Sequence, residues 1–261
     1  MYLMKRLLVL IMVMLTSTAF ADEITFTSKN WGGAKKAARD QVYFDHKITI
    51  YCGCRYSDKG SCGGVIDHQS CGYKVRGTTG NAKTRAARLE WEHVVPASLM
   101  PARQRVCWTT GHPSCAKANR KCCETTGVDE TARKMIFDLH NLTPSVGQVN
   151  GDRSNFRYGV IEGEERVYGA CDFEVSKELK LAEPQECQRG NLARVWLYMN
   201  WKHGVKISAE EKATFLAWSI ADPVSSWEKE RDKRIKGVQG NSNPFVENGI
   251  VRDSGKCQWE Q

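Results

Sequence analysis

The stretch RLEWEHVVP, residues 88–96, places a carboxylate and an imidazole next to each other at Glu92 and His93. A carboxylate is a hard oxygen ligand suited to Mg²⁺, and a neutral imidazole is a general base whose ordinary pKa lies near physiological pH. Such a pair could hold a cation and remove a proton from water. Taken alone, however, such a pair usually belongs to an ordinary strand, here with Leu89, Trp91 and the histidine packed inward and the glutamates in solvent.

Strand geometry limits how Glu92 and His93 could work together. Successive side chains of a regular strand point to opposite faces, so the pair can cooperate only if the chain bends there. Pro96 is consistent with a strand that ends nearby, because proline cannot donate to a central ladder. The sequence has no H-E-x-x-H motif, so a zinc-protease helix is not supported. We therefore expect the strand to end, and the chain to turn, at His93.

A second group of polar residues follows a predicted helix start. Thr143 suits the N-cap position, and Pro144 suits the first helical position, where its missing N–H costs nothing. These signals predict a short helix from about Pro144 to Ser154.

Asn150 and Arg153 lie three residues apart and would share one face of this helix, with Arg157 a further four residues on. An amide oxygen can complete a magnesium site, and arginine guanidinium groups match phosphate oxygens. Two alternatives remain open. Asn150-Gly151 could be a helix-ending turn, and Asp152 could simply neutralise Arg153.

The elements that must position these residues include both strand-like and helix-like segments. The other predicted elements are a helix at 28–39, strands at 47–54 and 65–75, a long disulfide-stapled loop at 100–131, and two helices, one ending at Gly204 and one capped by Ser208 and Glu211.

The first 21 residues have the pattern of a secretory signal peptide, with Lys5 and Arg6 before the apolar run 7–15 and a small-x-small site at 19–21. The apolar run is shorter than the roughly 20 residues that span a bilayer, so no membrane anchor is expected. Residues 22–261 are predicted to form one exported domain, periplasmic or secreted, that acts as a monomer. The formal net charge of +8 is compatible with a nucleic-acid partner but does not by itself identify one.

All eleven cysteines follow the signal peptide, and an oxidising compartment favours disulfides. A structural zinc site is the alternative, since Cys52-x-Cys54 and Cys122-Cys123 are dense thiols, but neither has a matching C-x2-C pair. A direct bond between Cys122 and Cys123 would be strained. The odd number leaves at least one thiol free or paired with another molecule.

Several blocks together resemble the bacterial endonuclease I family, which consists of exported, disulfide-bonded, non-specific nucleases of the ββα-metal (His-Me finger) superfamily. The similarity runs from about residue 30 to residue 257. It is carried by the blocks YCGC, QSCGYKVR, RLEWEHVVPA, RKMIFDLHNLTPSVGQVNGDRSNF and WEKERDKRIKGVQGNSNPFV.

The resemblance implies an α+β fold with a ββα-metal core, additional helices and short strands. It also implies that His93 is the general base, at the end of the first core strand, and that Glu92 and Asn150 bind the metal. The expected cofactor is Mg²⁺, with Mn²⁺ as an alternative. The expected reaction is sequence-non-specific hydrolysis of phosphodiester bonds in DNA, with RNA as a further substrate, the metal stabilising the leaving 3′-oxygen.

Phosphate contacts are expected from basic residues near these blocks, although each could equally be solvated or ion-paired. Family members carry an arginine three residues before the cysteine that matches Cys115, and His112 occupies that position here. His112 could act as a weaker cation, Arg120 could take its place, or the rate could be reduced. The candidate phosphate-binding residues are Arg85, Arg88, Arg153, Arg157 and His112.

The cysteines also depart from the family pattern. Lys229 stands where a cysteine is expected, and Cys62, Cys187 and one of Cys122 and Cys123 have no counterpart, so the family pairing cannot be transferred. A local bridge between Cys107 and Cys115 is predicted.

Two other kinds of protein remain as alternatives. One is a secreted nucleic-acid-binding module that has kept this scaffold and lost turnover. The other is a cysteine-rich structural protein in which the Glu-His pair only packs a strand.

Overall fold

The structure is a computed structural model that describes residues 23–25, 28–58, 63–77, 80–163, 165–254 and 256–260. The predicted signal peptide therefore lies outside the described residues. Among those that are described, no helix is long and apolar enough to cross a membrane.

The described chain combines helices with small sheets, in agreement with the predicted mixture of α and β structure. Strands β1 and β2 pair, β3 and β4 pair antiparallel, and the third sheet has the order β5-β7-β6. The strands are β1 (Tyr56–Ser57), β2 (Val65–Ile66), β3 (Leu89–His93), β4 (Leu142–Val146), β5 (Arg157–Tyr158), β6 (Phe173–Ser176) and β7 (Leu181–Pro184). The α-helices are α1 (Trp31–Ala37), α2 (Gly80–Ala87), α3 (Val106–Thr109), α4 (Arg120–Glu124), α5 (Glu130–Ile136), α6 (Gly147–Arg153), α7 (Glu186–His203), α8 (Ala209–Ala221), α9 (Ser226–Gln239) and α10 (Pro244–Glu247).

Three predictions near the N-terminal end of the described chain needed correction. The helix expected at 28–39 begins at Trp31, because Asn30 is the N-cap and accepts a hydrogen bond from the Gly33 N–H. The strand expected at 47–54 is instead a turn closed by a bridge between Ile48 and Arg55. The strand expected at 65–75 is confined to β2.

The helix predicted from Pro144 begins later, at Gly147, and Thr143 and Pro144 lie on β4 opposite Glu92 and Trp91. Proline is tolerated there because each strand of a two-stranded sheet has an edge without ladder hydrogen bonds. A Cβ atom at Gly147 would lie 2.6 Å from the Arg85 carbonyl oxygen. Glycine therefore allows the start of α6 to approach the neighbouring backbone closely.

The predicted C-terminal helices are confirmed. Gly204 ends α7 in a left-handed conformation, and Ser208 and Glu211 form the capping box that starts α8. Trp196 and Met199 on α7 are buried in the hydrophobic core, which is the ordinary role expected for apolar residues at helical spacing.

Five disulfides join ten of the eleven cysteines, and Cys62 lies outside the described residues. The bridges are Cys52–Cys171, Cys54–Cys71, Cys107–Cys123, Cys115–Cys122 and Cys187–Cys257. The predicted Cys107–Cys115 bridge is therefore wrong. Cys122 and Cys123 are consecutive on helix α4, where neighbouring side chains point in different directions, so each pairs with a different partner. The segment predicted as a long loop, residues 100–131, contains α3, α4 and the first two residues of α5.

Candidate active site

A cavity of about 840 Å³ opens where β3, α1, α4 and α6 meet. Glu92, His93 and Asn150 all line it, so the structure brings together the three residues that the sequence singled out. The other lining residues are Trp31, Arg85, Glu90, Trp91, Pro96, Ala97, Ser98, Trp108, Arg120, Gly151, Ser154 and Asn155.

The end of β3 explains how two consecutive side chains reach one cavity. The strand pairs regularly up to His93, which lies opposite Leu142, and the chain then bends at Val94. Arg153 fixes this bend, because its guanidinium donates to the carbonyl oxygens of His93 at 2.9 Å and Val94 at 2.5 Å. The turn predicted from the sequence at His93 therefore lies directly at the end of β3.

His93 is held in one orientation by two contacts. Its Nε2 lies 2.8 Å from the carbonyl oxygen of Ile136. Its ring stacks on Trp31 at 4.7 Å between centroids. A carbonyl oxygen can only accept, so Nε2 carries the proton and Nδ1 keeps a lone pair.

Burial lowers the pKa of His93 to about 4, the hydrogen bond to Ile136 opposes this, and the positive charges of Arg120 and Arg153 lower the pKa further. The imidazole is therefore neutral at physiological pH, as a general base must be.

Glu92 is almost fully buried, and its Oε1 accepts hydrogen bonds from the Tyr51 hydroxyl and from Arg153, each at 2.7 Å. Burial raises the pKa of Glu92, while the charge of Arg153 and the hydrogen bond from Tyr51 oppose that rise. Within the described part of the chain, Oε2 accepts no hydrogen bond. One carboxylate oxygen is thus anchored, and the other remains for a ligand.

Asn150 lies inside α6, so the alternative of a helix-ending turn at Asn150-Gly151 is wrong. Its Nδ2 donates to Glu90 Oε2 at 2.9 Å, which fixes the amide and leaves Oδ1 as an acceptor. Asp152 pairs with Arg76 and accepts from Tyr168, so it does not neutralise Arg153.

The oxygens of Glu92 and Asn150 fit a hard divalent cation. In the described ranges no group of three or more His, Cys, Asp or Glu side chains could hold a metal ion. Mg²⁺ does not need such a group, since it is commonly held by one or two protein oxygens and retains several waters. A carboxylate oxygen and an amide oxygen at one cavity wall are a suitable donor set.

The predicted phosphate-binding residues differ widely in position. Arg85 lines the cavity, and Arg88 lines a smaller adjoining one of about 360 Å³. Both donate to Glu90, whose side chain therefore offsets part of their charge.

Three of these predictions are not supported by position. Arg153 has no exposed surface, so it is a buried structural residue and cannot contact phosphate. Arg157 pairs with Glu211 at 2.7 Å and does not line the cavity. His112 is exposed but also lies outside the cavity lining, whereas Arg120 is part of it.

Sequence reasoning missed several residues that support the site. Tyr51 anchors Glu92, Glu90 orients Asn150, and Trp31 stacks on His93. In the ordinary-strand alternative Glu90 lies in solvent, but the alternation of β3 places Glu90 on the same face as Glu92, and that periodicity is the signal that could have found it. Tyr51 and Trp31 come from distant segments and had no local signal.

Comparison with known sequences shows the family of this chain. The sequence model of the Endonuclease I family matches residues 26–250. The match covers most of the chain and includes all three residues that meet in the cavity. The chain therefore belongs to the endonuclease I family, and it is an endonuclease.

Individual relatives support the same assignment. Endonuclease-1 of Buchnera aphidicola (subspecies Acyrthosiphon pisum) is 40% identical over 198 residues, which cover 76% of this chain and 73% of the relative. An extracellular deoxyribonuclease of Aeromonas hydrophila is 38% identical over 246 residues, covering 93% and 97% of the two chains. A periplasmic deoxyribonuclease of the same organism is 40% identical over 208 residues, covering 79% and 81%.

Proposed function

We propose that this protein is a magnesium-dependent, sequence-non-specific endonuclease that hydrolyses phosphodiester bonds of DNA, with RNA as a further substrate. The observation that supports this best is the meeting of Glu92, His93 and Asn150 at one cavity. In this proposal β3, β4 and α6 form the ββα-metal core.

In the proposed mechanism His93 acts through Nδ1, which accepts a proton from the attacking water while Nε2 stays hydrogen-bonded to Ile136. Glu92 would hold the cation through Oε2 and Asn150 through Oδ1. When bound, Mg²⁺ supplies positive charge that stabilises the phosphate and the leaving 3′-oxygen. Trp31 keeps the imidazole from rotating, and Arg153 keeps Glu92 and the strand end fixed.

We propose that cleavage does not depend on base sequence, because the side chains expected to bind the nucleic acid here are cations suited to phosphates. Arg85 lines the cavity, and Arg88 and Lys35 line the adjoining one. Phosphate contacts fix the position of a nucleic acid and carry no sequence information.

DNA is proposed as the main substrate because relatives similar over most of their length are named deoxyribonucleases. Their names also include the words extracellular and periplasmic, which supports the proposal that this chain is exported by residues 1–21. We propose that residues 22–261 form one domain that acts as a monomer.

The test is nicking of supercoiled plasmid by the oxidised protein with Mg²⁺, with and without EDTA. His93→Ala is expected to abolish nicking, and Glu92→Gln and Asn150→Ala to raise the Mg²⁺ concentration needed for half-maximal nicking. His46→Ala is a matched control: His46 also stacks on a tryptophan, Trp227, and burial lowers its pKa to about 4, but it lies outside this cavity.

Two outcomes would overturn the proposal. The first is cleavage by the His93→Ala variant at the rate of the His46→Ala control. The second is salt-sensitive DNA binding by the wild-type protein with no nicking at any pH from 6 to 9, which would favour the binding module.

A further inference from the structure

We propose that Arg120 binds a phosphate of the nucleic acid next to the scissile bond and so supplies the cation that His112 does not bring to the cavity. This inference rests on the proposed function. It decides between the alternatives that the sequence left open at this position and assigns the phosphate contact to Arg120.

The backbone under Arg120 is firmly held. Arg120 is the first residue of α4, which is capped by the side chain of Asn119 accepting from the Cys122 N–H. Two disulfides, Cys115–Cys122 and Cys107–Cys123, tie this helix to the preceding segment. A short helix with two covalent ties keeps its first side chain at a fixed place on the cavity wall.

The guanidinium of Arg120 has its Nε edge occupied and its outer edge available. Nε lies 2.8 Å from Glu124 Oε1, and the guanidinium carbon lies 5.8 Å from the centre of a Trp31 ring. Within the described residues, neither terminal nitrogen of Arg120 forms a hydrogen bond. Two parallel N–H groups in this arrangement match two phosphate oxygens.

The other arginines near the site are less available than Arg120. Arg85 and Arg88 both donate through their terminal nitrogens to Glu90. Arg153 is buried, and both of its terminal nitrogens donate inside the protein. Arg120 is therefore the cavity-lining arginine, among those described, whose terminal nitrogens remain for a ligand.

Trp31 connects Arg120 to the reaction. The same tryptophan that lies beneath the guanidinium also stacks on His93, at 4.7 Å between ring centroids. A phosphate held by Arg120 is thus placed near the general base. Arg120 approaches from α4, whereas Glu92 and Asn150 lie on β3 and α6, so the phosphate would be contacted from two sides.

A purely structural role is the competing explanation, since Arg120 also neutralises the mostly buried Glu124. Arg105→Gln is a matched control. Arg105 lies just before α3 in the same segment, and its Nε pairs with Asp129 at 2.6 Å. The side chains of Arg105 and Arg120 are 46% and 39% exposed, and their partners Asp129 and Glu124 are both 11% exposed. Arg105, however, does not line the cavity.

The experiment compares wild type, Arg120→Gln, Arg120→Lys and Arg105→Gln. The first measurement is kcat/KM on a DNA duplex with Mg²⁺, and the second is duplex binding in EDTA as a function of NaCl. Loss of a charge-assisted hydrogen bond predicts that Arg120→Gln lowers kcat/KM about 10- to 100-fold. Loss of one phosphate contact predicts that the slope of log K against log [NaCl] becomes shallower by about 0.9. Lysine should restore activity only in part, because it lacks the planar pair of donors.

The double variant Glu124→Gln/Arg120→Gln separates the two explanations. If Arg120 binds phosphate, kcat/KM stays low in the double variant, because removing the charge of Glu124 does not restore the phosphate contact. If Arg120 only neutralises Glu124, removing that charge should restore kcat/KM. The inference is overturned if the double variant recovers, or if Arg120→Gln behaves like Arg105→Gln in both measurements. If His93→Ala abolishes cleavage in the same experiments, either of these outcomes rejects only the role of Arg120 and leaves the proposed function standing. If His93→Ala cleaves normally, the proposed function itself has failed.

Discussion

Replacing Arg153 by methionine should destabilise the protein strongly, because this guanidinium holds several parts of the site together. It donates to Glu92 Oε1 at 2.7 Å and to the carbonyl oxygens of His93 and Val94. Methionine retains much of the side-chain length and removes the charge. Glu92, only 3% exposed, would then lose its counter-charge, and two backbone carbonyls would lose their donor.

The magnitude follows from the cost of breaking a buried ion pair, about 3–5 kcal/mol. In a chain of this length, each kcal/mol lowers the melting temperature by about 2–4 °C, so a fall of roughly 6–20 °C is expected. Arg39→Met is the control. Arg39 is a half-exposed arginine paired with Asp40, which Lys36 also contacts, and a surface pair of this kind contributes about 0–1 kcal/mol.

The assay is thermal unfolding followed by circular dichroism, with disulfides oxidised and EDTA present. The double variant Glu92→Gln/Arg153→Met should melt above the single Arg153→Met variant, because no uncompensated charge remains. The reasoning is refuted if Arg153→Met shifts the melting temperature no more than Arg39→Met does. Arg153 would then not anchor the strand end.

Two further predictions concern stability. Burial alone would raise the pKa of Asp138, but the hydrogen bond and charge of His203 hold that pKa well below its usual range. Asp138 therefore stabilises the folded protein above the unfolded pKa of about 4, and this stabilisation is lost as the pH falls. In urea unfolding from pH 6 to 2.5, the free energy of unfolding should fall by up to about 1.4 kcal/mol per pH unit because of this group. Asp138→Asn should make the free energy of unfolding depend less on pH, whereas Glu186→Gln, at an exposed position, should not. Removing the Cys52–Cys171 bridge, which spans 119 residues, should cost about 5 kcal/mol, against about 2.5 kcal/mol for the Cys115–Cys122 bridge, which spans 7. Equal guanidinium midpoints for the two double-alanine variants would contradict the loop-entropy argument.

The sequence predicted the candidate site residues better than the elements that carry them. Residue type and spacing made Glu92, His93 and Asn150 candidates, the resemblance to the family decided in their favour, and the bend at His93 followed from strand geometry. The start of α6 could not be placed, because Thr143-Pro144 suits both a helix N-terminus and an edge strand. Pairing with β3 decided between them, and that contact lies about fifty residues away in the chain.

Burial was the main property that local sequence could not reveal. Arg153 and Arg157 look alike in the sequence, yet one is enclosed against Glu92 and the other pairs with Glu211 away from the cavity. The pairing of Cys107 was missed for a similar reason. Two cysteines were available on α4, and only the orientation of that helix distinguishes them.

The two proposed metal-binding residues are attached to the protein in different ways, and this divides the site into a fixed part and an adjustable part. Glu92 Oε1 joins Arg153 on α6 to Tyr51, whose neighbour Cys52 is bonded to Cys171. Any replacement of this glutamate disturbs three segments of the chain. Asn150, in contrast, is secured through Nδ2 to a single partner, Glu90. Attempts to redesign the cation preference of this enzyme should therefore vary the amide on the helix and leave the carboxylate on the strand unchanged.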